Sequence, residues 1–337
     1  MSANARSALY VGVMGAGAVG SFFGAMLARA GVRVTLVGRA AHADAVNAAG
    51  LELTSAGQVT RVPMASSTDL AALRDADVVL VCVKSVATEA VADALAKVVA
   101  PTALLVSLQN GVDNAWRISA RVANPVAPAA VYVSVEMTGA GCLRHNGGGS
   151  LVLGRPLVSP AAGSGAAGSG AASSGAASHA TFEALVDRLL AAGVPCRVSD
   201  DIRVDLWTKL TANCAYNAIS ALAQLRYRHL VADEGSREVM RMVTDENAAV
   251  AQADGVPVTV EALADAVRRI AEVMPEALSS TAQDLQLGRP TEIGDLNGFV
   301  VRRGLALGVP TPVNRTLQAL VGLVEKARAA PSGMETA

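Results

Sequence analysis

Charge, cysteine and histidine are all scarce in this 337-residue chain, and each scarcity removes a class of function. Lys and Arg (28) nearly balance Asp and Glu (29), so the net charge of -1 offers no electrostatic footprint for nucleic acid. The four cysteines, Cys82, Cys142, Cys196 and Cys214, lie far apart without a CxxC pair. That pattern indicates neither a zinc site nor a disulfide framework and makes a cytoplasmic setting the expectation. His42, His145, His179 and His229 show no ligand spacing and read as surface or satisfied polar residues rather than metal ligands or a catalytic base. What is plentiful is apolar: 52% of residues are hydrophobic and the mean hydropathy is +0.38. A chain of this length has room for two domains and an ample core.

Residues 7–28 carry no charge and are flanked by Arg6 and Arg29, the outline of a signal peptide or membrane anchor. Five glycines, Gly12, Gly15, Gly17, Gly20 and Gly24, would weaken a helix in that role, and the segment runs straight into a second β-rich stretch, so no membrane association is expected. The stretch reads instead as strand, glycine turn, helix and strand: Leu9 to Met14, then Gly15-Ala16-Gly17-Ala18-Val19-Gly20, an Ala-rich helix closed by Gly31, and Val32 to Val37. G-x-G-x-x-G in this setting is the dinucleotide fingerprint. Its first glycine permits the turn, the second lets a pyrophosphate approach, and the third lets helix pack on strand. After the second strand stand Gly38 and Arg39 where NAD binders place an acid, and a cation there suits the 2'-phosphate of NADP. A solvated surface arginine is the alternative.

Farther on, residues 41–64 hold a short helix and two strands, and DADVVLVCVKS gives a buried strand ending at Val83. Lys84 follows, at the carboxyl edge where a doubly wound sheet meets its ligand, as a cofactor contact or a surface lysine. A helix over 86–98 is stopped by Pro101, and TALLVSLQNG adds a strand that leaves Asn110 at the same edge, as a crevice residue or as Asn-Gly turn chemistry. Residues 126–154 read as antiparallel strands completing the sheet, and Ser159 to Ser178, almost pure Ala, Gly and Ser, as a flexible surface insertion. A helix over Thr181–Ala192 and a strand over Val194–Val198 close an N-terminal domain at residue 199, and from Asp200 to residue 337 the pattern is helical throughout.

The first helix of that second domain, DLWTKLTANCAYNAISAL, carries Lys209, Asn213, Asn217 and Ser220 at spacings of four, four and three. At 3.6 residues per turn they share one face within about 80°. A stripe of one lysine among uncharged hydrogen-bonding groups costs free energy unless something polar meets it, either a substrate or a network between helices. Farther on, Pro290 and Thr291 mark a helix start, with Glu292 in its first turn; spacing alone favours a capping role for Glu292 over a catalytic one.

GAGAVG, Arg39, VCVKS, LQNG, LWTKLTANCAYNAISAL, SSTAQDL and RPTEIGDLNGFVVRRG with GVPTP run in one order from about residue 9 to about 321. Together they resemble the ketopantoate reductase (2-dehydropantoate 2-reductase) family. The resemblance implies an α/β N-terminal Rossmann-type domain and an all-α C-terminal domain of the 6-phosphogluconate dehydrogenase C-terminal-like kind, with the active site in the cleft between them. It implies NADPH-dependent reduction of ketopantoate to pantoate in pantothenate synthesis. By it Lys209 is the general acid and Glu292 orients lysine and substrate, while Asn213, Asn217 and Ser280 bind the 2-oxo acid. Asn110 would lie near the nicotinamide and Lys209, and Arg39 and Lys84 near the adenosine end of NADP(H). Where the family pattern has two further asparagines, this chain has Tyr227 and Ala277. The alternatives are therefore a reductase of another 2-oxo acid, or a non-catalytic NADP sensor, against which the retention of Lys209 and Glu292 speaks. Partners beyond the small-molecule substrate are not implied, and a homodimer is compatible with the reading.

Overall fold

Two apolar runs on either side of a glycine turn found the first unit. Tyr10–Met14 forms strand β1, Ala18–Arg29 helix α1 and Arg33–Val37 strand β2, with β1 and β2 parallel from Tyr10↔Arg33 to Met14↔Val37. Helix α2 (Ala40–Ala49) and the hairpin of β3 (Leu51–Ser55) and β4 (Gln58–Val62) follow. Then come β5 (Ala65–Ser67), β6 (Val78–Val81), α3 (Thr88–Leu95), β7 (Leu104–Ser107) and α4 (Asn114–Ser119). β8 (Val126–Gly139), β9 (Cys142–Leu153), α5 (Gly170–Ala191) and β10 (Cys196–Val198) follow. The structure is a computed structural model that describes residues 9–157 and 170–329.

The strands join in the order β4-β3-β9-β8-β7-β6-β1-β2-β5, with β10 beside β9. β6 shows why the middle of this sheet is apolar without alternation: Val78 and Leu80 enter the cluster that packs α1 and α5, whereas Val79 and Val81 enter the cluster that packs α3 and α4. All four are at most 1% exposed. Each such side chain contributes about 1.5–3 kcal/mol of burial, which only a sheet covered on both faces can collect.

Two expectations need correction. β8 pairs antiparallel with β9 but also parallel with β7, from Leu105↔Val126 to Ser107↔Pro128, so it extends the parallel sheet before turning into the hairpin. Helix α5 begins at Gly170, so residues 170–178 are helical and not part of a loop; the rest of the expected insertion, 159–169, lies outside the described residues. Alanine is the best helix former, and once the amphipathic Phe182–Leu189 turns are anchored, adding Ala-rich turns ahead of them costs little.

The described residues divide into two units, one running to Gln109 and from Asp113 to Ile202, the other taking Asn110–Val112 and residues 203–329. The second unit is helical: α6 (Ile202–Ala223), α7 (Tyr227–Ala232), α8 (Glu234–Ala253), α9 (Val260–Val273), α10 (Ser280–Gln286), α11 (Asn297–Leu307) and α12 (Pro312–Ala329). Trp207 and Tyr216 of α6 are fully buried in it. A line of buried amides ties its helices together. Asn247 on α8 donates to Thr211 on α6 (3.4 Å), Asn314 on α12 donates to Asn247 (3.0 Å), and Asn297 on α11 donates to Asn314 (2.9 Å) and to the Cys214 carbonyl of α6 (3.3 Å). Glu246 caps α12 by accepting the N–H groups of Val313 (2.7 Å) and Asn314 (2.9 Å), donors that the helix itself leaves unpaired. No described helix is long and apolar enough to cross a membrane.

Candidate active site

The fingerprint residues divide into those that shape the turn and those that leave donors open. Gly15 has φ +102°, and a Cβ there would stand 2.8 Å from the backbone of Cys82 and Val83. The N–H groups of Gly15 and Ala16 both donate to the Val37 carbonyl (3.0 Å each), which pins the turn to the end of β2. At Gly20 a Cβ would meet the Gly15 carbonyl oxygen at 2.3 Å, so α1 can approach β1 only without one. Around Gly17, by contrast, a Cβ would find open space. The first intrahelical bond runs from Ser21 N–H to the Gly17 carbonyl, and Gly17 supplies no side-chain cap. The N–H groups of Ala18, Val19 and Gly20 therefore point out of the first turn at the positive end of the helix dipole, beside the gap at Gly17. A pyrophosphate fits that donor set.

Arg39 is exposed at the N-cap of α2, immediately after β2, where its guanidinium is available to a phosphate on a ribose. Lys84 is exposed as well and sits just past β6.

In the second unit, three residues distant in sequence meet. The Lys209 ammonium of α6 donates to Asn110 Oδ1 at 3.2 Å, and Asn110 Nδ2 donates to Glu292 Oε2 at 3.4 Å. The amide of Asn110 thus uses its acceptor for the cation and its donor for the anion. Burial lowers the Lys209 pKa to about 8, while the charge of Glu292 acts to raise it. A lysine in that range can both hold and release a proton near neutrality, which an ordinary surface lysine cannot.

Asn213 and Asn217 continue along α6 from Lys209. Neither side-chain amide has a hydrogen-bond partner among the described residues, although Asn217 is only 3% exposed. Asn213 is half-buried and Asn217 buried, and amides so placed that the fold does not use are available to a polar ligand. Ser220, expected in the same stripe, is consumed by the fold: its hydroxyl donates to the Leu225 carbonyl (2.9 Å) and accepts from Ser279 N–H (3.3 Å). Ser279 is also spent, capping α10 through Ala282 N–H (3.1 Å) and donating to the Asn217 carbonyl (3.2 Å). Its neighbour Ser280 stands exposed at the first position of α10.

The expected helix start at Pro290 is not there. Glu292 lies in a turn ahead of α11, and its carbonyl accepts from Asp295 (2.9 Å) and Leu296 (3.0 Å). Capping of a helix by its position in the first turn is therefore removed as an explanation for this carboxylate. Thr291, expected as part of that helix start, has its hydroxyl and N–H both held by Glu325 of α12 instead. No signal in the sequence marks a pair 34 residues apart.

A nucleotide-phosphate turn on a parallel sheet, together with a perturbed lysine, a carboxylate and uncommitted amides on a helical unit, defines a dinucleotide-dependent oxidoreductase. The comparisons give the family. Residues 11–157 match the model for ketopantoate reductase PanE/ApbA, and residues 201–325 match that for ketopantoate reductase PanE/ApbA C terminal. The chain belongs to the ketopantoate reductase family. A 2-dehydropantoate 2-reductase of Halobacterium salinarum is 33% identical, over 93% of this chain and 98% of that one. The crystal structure of a PanE/ApbA family ketopantoate reductase from Ralstonia eutropha JMP134 is 45% identical with a TM-score of 0.81, covering 96% of this chain and all (100%) of that one. The ternary structure of D-mandelate dehydrogenase with NADH and anilino(oxo)acetate superposes with a TM-score of 0.84 at 22% identity, covering 96% of this chain and 100% of its own, a likeness of fold.

Proposed function

We propose that the protein reduces 2-dehydropantoate to pantoate with NADPH, in the cytosol. The observation that carries this reading is the Lys209-Asn110-Glu292 arrangement, a half-buried lysine of lowered pKa held by a neutral amide whose other end is given to a carboxylate. Hydride is what the reduced nicotinamide contributes when bound. As the keto carbon is reduced its oxygen gains negative charge, and the Lys209 ammonium stabilises that charge and passes its proton to the oxygen. Glu292 keeps the lysine charged against desolvation. Asn213, Asn217 and Ser280 hold the carboxylate and hydroxyl of the 2-oxo acid so that the carbonyl stays in reach, and this positioning supplies part of the rate. On the cofactor side, the N–H groups of Ala18, Val19 and Gly20 take the pyrophosphate and Arg39 pairs with the 2'-phosphate, with Lys84 nearby.

The test is NADPH oxidation, followed by the cofactor's own absorbance, with ketopantoate offered first and a panel of 2-oxo acids beside it. Turnover with ketopantoate well above the others is the expected result. A clear preference for a different 2-oxo acid would leave the chemistry in place and change the substrate, and no oxidation with any of them would overturn the reading.

A further inference from the structure

Glu292 is supplied by a turn, and a turn has no helical ladder to hold its side chains in place. Its far end is fixed by Asn297, which binds the Cys214 carbonyl of α6, the helix that also carries Lys209. Its near end is fixed by one carboxylate oxygen: Glu325 Oε2 accepts the Thr291 hydroxyl at 2.6 Å and the Thr291 N–H at 3.2 Å. The first is in the short range of a charge-assisted O–H to carboxylate bond, and the pair leaves residue 291 little freedom in rotation or displacement. We propose that Glu325 is a positioning residue for Glu292, fixing through Thr291 the backbone from which that carboxylate reaches Asn110 and acts on Lys209. The inference rests on the catalytic reading of Lys209 and Glu292 given above.

What Glu325 offers here is geometry rather than charge. Both bonds end on the same oxygen, so a glutamine carbonyl can accept both, whereas alanine accepts neither. Arg289 and Arg328 share with Glu325 a small cavity of about 80 Å³, so a loss of charge at position 325 changes their electrostatics without changing the bonds to Thr291. Rescue by glutamine therefore separates the two roles. A second readout comes from Lys209, whose ionisation depends on the nearby Glu292 charge, with Asn110 as its neutral partner. When Glu292 is less firmly held, the lysine loses support for its charged form, and the alkaline limb of the rate moves to lower pH.

The experiment compares Glu325→Ala, Glu325→Gln and Thr291→Val with Lys209→Ala and Glu292→Gln in the full chain. It measures kcat, KM, NADPH affinity, thermal midpoint and the pH profile. Glu325→Ala should lose roughly ten- to a hundredfold in kcat, the cost of a displaced group near the chemistry, with NADPH affinity kept and the alkaline limb shifted down. Glu325→Gln should restore both to near the parent. Glu325→Ala that loses thermal stability but keeps the parent kcat and pH limb would overturn the proposal, as would a glutamine variant as impaired as alanine. If the alanine variant does not fold, Thr291→Val decides, and a parent-like kcat and limb there overturn the proposal. If Lys209→Ala and Glu292→Gln both turn over like the parent, the catalytic reading itself has failed and the positioning role falls with it. With those two crippled, an unaffected Glu325→Ala removes the positioning role alone.

Discussion

Lys209 is one ammonium on a 22-residue helix, and its burial, with Asn110 and Glu292 beside it, sets its chemistry. Lys209→Ala should lower turnover by roughly two to four orders of magnitude, the usual worth of a positioned general acid, while NADPH affinity stays within a few fold. Steady-state rates, cofactor titration and thermal midpoint on one preparation check this, and a stable variant with near-parent rates would place the acid elsewhere. The pH dependence follows from the same residue. Its pKa is lowered to about 8 by burial, so the proton donor is full below that pH and empties above it. kcat/KM for reduction should therefore be level on the neutral side and fall through about pH 8. Glu292→Gln removes the charge that holds the pKa up, so the fall should begin at lower pH; a limb that stays in place would show that Glu292 does not act on the lysine.

At the scale of elements, the approach of α1 to β1 sets the shape of the turn proposed to take the pyrophosphate. Gly20→Ala would drive a methyl against the Gly15 carbonyl (2.3 Å) and Val13 Cγ1 (2.8 Å). Neither can give way freely, one being backbone and the other a core side chain, so helix and strand must separate. We expect a loss of about 1–3 kcal/mol in stability, the range for overpacking, together with weaker NADPH binding because the donors of the first turn move with the helix. Chemical denaturation and a cofactor titration read the two effects. Stability lost without any change in affinity would mean that the first-turn N–H groups do not hold the cofactor.

For the whole molecule, cofactor binding and stability are linked, because a ligand that binds only the folded chain adds RT ln(1 + [L]/Kd). At a hundredfold excess over Kd this is about 2.7 kcal/mol. If Arg39 pairs with a 2'-phosphate as proposed, NADPH should raise the thermal midpoint more than NADH at equal concentration, because no acid follows β2 to hold a 2'-hydroxyl. Arg39→Asp should narrow or reverse that difference. Equal shifts from the two cofactors in the parent would remove Arg39 as the selector.

How much of this was legible in the sequence depended on how far apart the interacting residues lie. The glycine turn, the parallel strands around β6, the helical character after Asp200 and the Lys209, Asn213, Asn217 face rest on neighbours within a few residues, where hydrophobic period and turn chemistry act directly. Only the tertiary structure decided which polar groups remain for a ligand. The Ser220 hydroxyl is taken by the Ser279 N–H 59 residues away and by the Leu225 carbonyl, and the Ser279 hydroxyl by the Asn217 carbonyl, whereas the side chains of Asn213 and Asn217, which look no different in the sequence, are left unpaired among the described residues. Likewise, Asn110 lies 99 residues from Lys209 and 182 from Glu292, and no local pattern can encode their meeting. Glu292 itself was misplaced because Pro290 and Thr291 carry helix-start chemistry, but Glu325, brought in from α12, takes both Thr291 donors and holds the segment as a turn. Local chemistry set what each segment could be; the packing of distant segments set which side chains were used up in holding the fold and which were left to act.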